Sequence, residues 1–280
     1  MKLRGAQVMR HDVRHTSQGV TAVGLRDEYE LAAKQGFRAI PPDAGETLTE
    51  DDIAALPKAV QRYIRFAGAI GRPRIWNYQL RFRGELRNAA DSPWMRIEAD
   101  QQSFVEPAMR LFFIKASMFG VPFRTLHRYV GPSATFRVRL AGLFTLVDAY
   151  GPEMDQSETV TLLNDMCLLA PPTLASASIT WEEIDSLSVR ATFVNEGHEV
   201  SALLSFDESG ALTDFLSHNR FRTTDGKTYT LLPWSTPIRA WAEFDGRRLP
   251  AEAEAVWHDP AGEFAYGRFR VVAANYNVTG

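Results

Sequence analysis

The sequence predicts an α+β protein that is mostly antiparallel β, in which a long curved meander sheet forms a half-barrel with one or two helices packed on its concave face. Three observations predict this fold class. Apolar and polar residues alternate over many short segments, turn signals separate these segments, and only two long stretches have helical spacing. Roughly ten or more antiparallel strands accumulate twist, so the sheet is expected to curve.

The N-terminal part differs from the remainder of the chain. Residues 1–48 are predicted to form an arm, partly disordered or holding a short helix, because charges and glycines interrupt any apolar period. Residues 49–276 are predicted to form a single curved antiparallel-sheet domain. Its first helix is expected near residues 53–67, where apolar residues recur at helical spacing after the capping-box pair Thr49 and Asp52.

The strand assignments depend on alternation with a period of two. From Trp76 to Arg83, large apolar side chains alternate with polar ones, which is typical of a half-buried strand. Residues 95–99 and 136–140 repeat the pattern. Later candidate strands, separated by turns that contain Gly, Asn or Asp, are Ser178–Ile184, Ser188–Asn195, Glu199–Asp207, Leu212–Arg222, Ile238–Phe244, Ala251–His258 and Gly267–Ala274. The arginines predicted to form a solvated outer face are Arg81, Arg83, Arg137 and Arg139.

A second helix is expected near residues 156–169, between the two groups of strands. Asp155 and Glu158 have capping-box spacing and are interpreted as its N-terminal cap, and Pro171 ends it. Cys167, the only cysteine of the chain, falls on the apolar stripe of this helix and is interpreted as a packed thiol.

Composition excludes several classes of protein. The chain has 280 residues, of which 45% are hydrophobic and 23% charged, which excludes disordered proteins and membrane bundles. A net charge of -3 lacks the basic excess of a nucleic-acid binder. Charges interrupt Met1–Val23, so no signal peptide is found, and no run of about 18 apolar residues predicts a transmembrane segment. A cytoplasmic location is therefore expected.

Several segments resemble an uncharacterised bacterial family of unknown function. They are Leu56–Gly68, Gly71–Pro73, Pro93–Met95, Pro233–Ser235, Trp257–His258 and Gly151–Gln156, the last of which reads Gly-Pro-Glu-Met-Asp-Gln. The resemblance covers about residues 50–272. It implies a fold similar to that of periplasmic LolA-type lipoprotein carriers, which hold lipid between sheet and helices. The resemblance brings no activity with it, but it allows membrane association through peripheral contact. The expected partner, a hydrophobic small molecule or lipid, is inferred instead from the curvature of the sheet and from the aromatic residues considered below.

No motif in the sequence dictates a reaction. Nucleophile elbows, phosphate-binding glycine loops and Cys-x-x-Cys pairs are missing. The weak catalytic candidates, which could supply an acid/base set in a cleft, are Glu153, Asp155, His218 and His258. His11 and His15 have metal-ligand spacing but no third ligand nearby, so neither a metal nor a cofactor is expected.

The aromatic residues are the more suggestive feature, because a curved sheet lined by such side chains can enclose an apolar cavity. The predicted ligand-binding residues are Trp76, Tyr78, Phe82, Phe113, Trp234 and Trp257. A completely filled core is the simpler interpretation of the same residues.

These observations lead to three functional hypotheses. The first is a non-catalytic binding protein for a lipid-like or other hydrophobic small molecule. The second is an enzyme that uses the acid/base set. The third is an envelope-associated scaffold without a ligand, which would have a solid core and a large exposed apolar patch.

Overall fold

The computed structural model describes residues 24–38, 45–118 and 120–279. His11 and His15 therefore lie outside the described residues. The helices are α1 (Leu25–Gly36), α2 (Glu50–Ile53), α3 (Lys58–Phe66) and α4 (Pro152–Leu168), and a 3-10 helix spans Pro171–Ala175. The capping box predicted at Thr49 and Asp52 is confirmed at the start of α2.

The strands follow the predicted alternation of apolar and polar residues. Their bounds are β1 (Asn77–Leu86), β2 (Met95–Phe104), β3 (Met109–Met118), β4 (Val121–Val130), β5 (Ser133–Leu140), β6 (Phe144–Tyr150), β7 (Ile179–Glu183), β8 (Ser188–Asn195), β9 (His198–Phe206), β10 (Leu212–Arg222), β11 (Thr230–Ser235), β12 (Ile238–Phe244), β13 (Arg247–Asp259) and β14 (Gly262–Tyr276).

All strands of the described chain belong to one 14-stranded sheet, built as two meanders joined at the centre. The order is β6-β5-β4-β3-β2-β1-β14-β13-β11-β10-β9-β8-β7, and β12 pairs with β13 beside this path. The chain enters at the central strand β1 and runs outward to the edge strand β6. It then crosses through α4 to the opposite edge, β7, and returns to β14 beside β1, where every pairing is antiparallel.

The sheet curls until its two arms approach each other, which confirms the predicted half-barrel. Helix α4 packs against β9 and β10 of one arm and against β5 and β6 of the other. At one end, the Asn195 side-chain amide donates a hydrogen bond to the Tyr129 hydroxyl at 2.9 Å. At another point, the Tyr229 hydroxyl donates to the Tyr150 carbonyl at 3.3 Å. Helix α4 therefore lies inside the concave face.

Helix α4 begins earlier than predicted, at Pro152. The preceding Gly151 has φ of 100°, a conformation that glycine tolerates, and proline suits the first helical turn. The predicted cap by Asp155 and Glu158 is therefore wrong. Asp155 instead accepts a hydrogen bond from the Ala134 amide at 2.6 Å, and Glu158 lies within the helix, completely buried.

The main core lies between the inner face of the sheet, α4 and α3. Tyr63 of α3 is completely buried, and its hydroxyl donates a hydrogen bond to the Cys167 carbonyl at 2.6 Å. The Tyr63 ring packs against Phe206 and Trp241. Cys167 is buried with a free thiol, as predicted, and burial raises its pKa well above the usual value.

Helix α1 covers the outer face of the sheet at β3 and β4 and forms a second, smaller core there. Its residues Leu25 and Tyr29 pack with strand residues that include Phe104, Leu111, Phe113 and Leu126. Two ion pairs join α1 to the sheet, between Arg26 and Asp100 at 2.7 Å and between Arg137 and Glu28. The prediction that Arg137 belongs to a solvated face is therefore wrong, because α1 covers that part of the sheet.

Candidate functional site

A cavity of about 690 Å³ lies between the inner face of the sheet and α4. Strand alternation directs one side chain in two toward it, so its walls come from both arms of the sheet. The aromatic residues of the lining are Phe82, Phe112, Phe123, Phe136, Phe221, Trp234, Trp257, Phe264, Tyr266 and Phe269. A cavity of this size and lining is typical of sites for small apolar ligands.

The mouth of the cavity includes the edge strand β6. Leu146 lines the cavity and is 50% exposed, and its neighbours Leu143 and Phe144 are 79% and 64% exposed. Large apolar side chains therefore continue from the cavity onto the surface of the molecule.

One face of α4 gives the cavity a polar wall. Met154, Glu158, Thr161, Asp165 and Leu168 recur at helical spacing and all line the cavity. Every residue from Ser157 to Leu168 is buried, so this polar face is enclosed by protein. Buried polar groups require partners, and the facing strands supply them.

Arg110 of β3 joins the two buried carboxylates of α4. Its Nε donates to Asp165 at 2.6 Å, and its Nη1 donates to Glu158 at 3.2 Å. Asp165 also accepts a hydrogen bond from the Gln101 amide at 2.6 Å. Burial raises the pKa of Asp165, which Arg110 only partly opposes. Burial alone would raise the pKa of Glu158 as well, but the hydrogen bond from His127 and the charge of Arg110 hold it below its usual value.

His127 of β4 completes this network. Its Nδ1 lies 3.1 Å from the second oxygen of Glu158, and its ring centroid lies 4.3 Å from that of Phe136. Burial lowers the pKa of His127, and this outweighs the opposite effect of Glu158. We therefore treat the imidazole as neutral at pH 7, with Nδ1 as the donor to an ionised Glu158.

Arg220 of β10 faces the same cavity from the other arm. It is 8% exposed, and its guanidinium lies 4.3 Å from the centroid of the Trp234 ring. Its Nη1 donates a hydrogen bond to the Thr161 hydroxyl of α4. Arg110 and Arg220 thus place two buried cations on opposite walls of the cavity.

Only some of the predicted ligand-binding residues lie at the cavity. Phe82, Trp234 and Trp257 line the cavity. Tyr78 is buried on the inner face, with its ring centroid 6.3 Å from that of Tyr276, and Trp76 precedes β1; neither is part of the lining. Phe113 points to the outer face and packs beneath α1. The register of β3 explains this, since the adjacent Phe112 occupies the inner face.

The four candidate acid/base residues do not form one cleft in the described structure. None of Glu153, Asp155, His218 and His258 lines the cavity. Asp155 is engaged by a backbone amide, and His218 is exposed on β10.

His258 belongs to a hydrogen-bonded chain of three side chains. Its Nε2 lies 2.8 Å from the Ser235 hydroxyl, and its Nδ1 lies 2.8 Å from a Glu263 carboxylate oxygen. These distances fit a nucleophile, base and acid. However, Ser235 is 2% exposed and does not line the cavity, so its hydroxyl is closed to a substrate. We assign this chain of hydrogen bonds to the pairing of β11, β13 and β14.

The polar network of the cavity was missed by the sequence analysis. Its members, Arg110, His127, Glu158, Asp165 and Arg220, come from two meanders and the helix between them. Arg110 lies in a segment, Met109–Met118, that is otherwise largely apolar. The available signal was that Arg110 shares the strand face of Phe112 and Ile114, which makes it an inward charge.

No group of three or more His, Cys, Asp and Glu side chains in residues 24–38, 45–118 and 120–279 could hold a metal ion. Among the described helices, none combines the length and the apolar character needed to cross a membrane.

Three solved structures have chain folds similar to this one. A DUF1329 family protein from Desulfovibrio piger is 10% identical, with a TM-score of 0.43, and the match covers 79% of this chain and 92% of that protein. A LolA superfamily protein from Nitrosomonas europaea gives 9% identity and a TM-score of 0.43 over the same shares of the two chains. A putative outer membrane lipoprotein-sorting protein domain from Vibrio parahaemolyticus gives 9% identity and a TM-score of 0.40. This match covers 72% of the present chain and 86% of that domain.

Comparison with curated proteins found no match. The model of the family of unknown function DUF6544 matches residues 46–269, a range that includes all strands of the sheet except the end of β14. By this match, the chain belongs to the DUF6544 family.

Proposed function

We propose that this protein binds a lipid-like or other hydrophobic small molecule in the cavity between the sheet and α4, without catalysing a reaction on it. The observation that carries the proposal is the cavity itself, about 690 Å³ in volume and walled by ten aromatic side chains. A filled core would have brought these rings into contact across the half-barrel. Instead they surround a space large enough for a small ligand.

Burial of apolar ligand surface supplies the binding energy. Each buried CH₂ group contributes about 0.8 kcal/mol before the entropic cost of association is subtracted. Because the cavity walls are strands of one sheet, the site needs little rearrangement before it binds. The polar wall on α4 then sets the orientation of a ligand that has one polar end.

Two neighbouring valines of β14 provide the test. Val271 is buried and lines the cavity, whereas Val272 is 38% exposed and faces outward. We expect Val271→Trp to occupy part of the cavity and to reduce the affinity for a fluorescent fatty-acid analogue by at least tenfold. We expect Val272→Trp to leave that affinity unchanged. Equal affinities in both variants, with native circular dichroism, would place the bound analogue elsewhere and would contradict the proposal.

The proposal includes contact with a lipid surface at the mouth of the cavity. The exposed Leu143, Phe144 and Leu146 adjoin the cavity and could let a ligand pass without crossing water. We expect Phe144→Ser to reduce co-flotation of the protein with phosphatidylcholine vesicles. The control is Val194→Ser on β8, where the side chain is 47% exposed but is not part of the cavity lining. If the wild-type protein did not float with the vesicles, the membrane contact would be refuted, but the proposal of ligand binding would not.

A further inference from the structure

The guanidinium of Arg220, a residue that lines the cavity, has a buried hydrogen-bond donor without a partner among the described residues. The side chain is buried, lies 4.3 Å from the Trp234 ring centroid and 5.7 Å from that of Trp257, and is part of the cavity lining. Nη1 is engaged by Thr161. Nε is buried and has no hydrogen-bond partner among the described residues.

The neighbouring carboxylates do not fill this position. The oxygens of Glu158 bond to Arg110 and His127, and Asp165 bonds to Arg110 and Gln101. The Arg220 charge does contribute to the lowered pKa of Glu158, so the two groups interact through space. No carboxylate of the described chain forms an ion pair with Arg220, in contrast to Arg110, which has two. A buried charge without a bonded counter-ion is costly.

The free edge of Arg220 has the geometry for an oxyanion. In a guanidinium, Nε–H shares one edge of the plane with Nη2–H, and two parallel donors on such an edge match a carboxylate or a phosphate. The Trp234 ring covers one face of the guanidinium, which leaves the edge as its polar surface. The Thr161 hydroxyl holds the group in this position from α4.

We infer that the ligand of this cavity is an amphiphile with a single oxyanion head, a carboxylate or a phosphate, which accepts hydrogen bonds from the Nε edge of Arg220. The apolar tail lies among the aromatic rings of the lining, including Phe82, Phe112 and Phe269. This inference rests on the proposed function, because it assumes that the cavity is the binding site. It makes Arg220 the residue that selects acids over neutral lipids.

A matched control exists in Arg247 of β13. Arg247 is also buried, its guanidinium lies 5.0 Å from the Tyr276 ring centroid, and its Nη1 also has no partner among the described residues. However, it is not part of the cavity lining. Replacement of each arginine by methionine removes a buried cation of the same kind, but only one of the two would remove the proposed head-group site.

The experiment measures the binding of hexadecanoic acid, its methyl ester, hexadecyl phosphate and inorganic phosphate to the full chain by calorimetry. We expect the wild-type protein to bind the acid or the alkyl phosphate at least about tenfold more tightly than the ester, the ratio expected for a charge-assisted hydrogen bond. The tighter of these two anions identifies the head group. We expect the affinities of Arg220→Met for the acid and the ester to lie within about threefold of each other. Arg220→Lys should give an intermediate ratio of the two affinities, and Arg247→Met should keep the wild-type ratio.

The possible failures are distinguishable. Equal affinity of the wild-type protein for acid, alkyl phosphate and ester would overturn the head-group inference and leave the proposed function intact. Binding of none of the three alkyl compounds would overturn the proposed function. Binding of inorganic phosphate alone would show a free-anion site and contradict an amphiphile. If Arg247→Met lost the preference as fully as Arg220→Met, the assignment to Arg220 would be wrong. The wild-type comparison of acid with ester remains decisive even if a variant fails to fold.

Discussion

Removal of the Arg110 side chain should be among the most damaging single changes to the buried network. Arg110→Met keeps most of the side-chain volume but removes the cation between Glu158 and Asp165, which lie 3.2 Å and 2.6 Å away. The side chains of these three residues are 7% exposed or less, so removal of Arg110 leaves two carboxylates with little access to bulk solvent. Breaking a buried ion pair from one side costs about 3–5 kcal/mol, and we expect a loss of unfolding free energy in this range.

The matched control is Arg83→Met on the outer face. Arg83 lies 3.7 Å from Glu98, and the two side chains are 72% and 63% exposed. Exposed pairs of this kind contribute about 0–1 kcal/mol. Urea unfolding, followed by tryptophan fluorescence and by circular dichroism, measures both variants against the wild-type protein.

A rescue variant separates charge from packing. When Glu158→Gln and Asp165→Asn are added to Arg110→Met, the uncompensated carboxylates become neutral amides, and we expect more than half of the lost stability to return. The reasoning would be refuted if Arg110→Met unfolded within about 1 kcal/mol of the wild-type protein. It would also be refuted if the triple variant were less stable than the single variant.

Three other predictions follow from single residues. Burial lowers the pKa of His127, so at acidic pH the unfolded chain takes up a proton there that the native chain does not. The stability of the wild-type protein should therefore fall as the pH drops below about 6.5. In His127→Gln, the urea midpoint should change less steeply between about pH 7 and pH 5 than in the wild-type protein. A Cβ at Gly84 would lie 2.1 Å from the Arg268 carbonyl oxygen, so Gly84→Ala should cost about 1–3 kcal/mol, and a thermal midpoint equal to that of the wild-type protein would show that the strands can separate there. The Cys167 thiol is buried with a raised pKa, so it should react with Ellman's reagent only in urea, and rapid reaction of the native protein would contradict its position.

Much of the fold could be predicted from sequence because one face of most strands is apolar and the other polar. Leu212–Arg222 and Ile238–Phe244 were predicted with the bounds that the structure has. In contrast, β11 was not predicted, since Pro233 interrupts a short strand and its apolar residues do not alternate clearly. Helix α4 also departs from the prediction, because its polar face is turned into the cavity and not toward solvent.

The site was less predictable than the fold for a physical reason. Arg110 and Asp165 are 55 positions apart, and Arg220 and Thr161 are 59 apart, so only the crossing of α4 between the two arms brings them together. Local periodicity reports which side of a strand a residue occupies, but it does not report which residue of another element it meets. The same limit explains Phe113. It was predicted to bind the ligand because it is aromatic, but its side chain lies on the outer face of the sheet, beneath α1.

The central claim is that the half-barrel holds a hydrophobic ligand beside α4. Native mass spectrometry of the purified full chain, followed by organic extraction of the same sample, tests this claim most directly. The account predicts a protein peak heavier than the 31.4 kDa chain by the mass of one small amphiphile, which is recovered in the extract and is absent from Val271→Trp. A wild-type protein that carries nothing, and that remains at the mass of the bare chain after incubation with fatty acids, would contradict it.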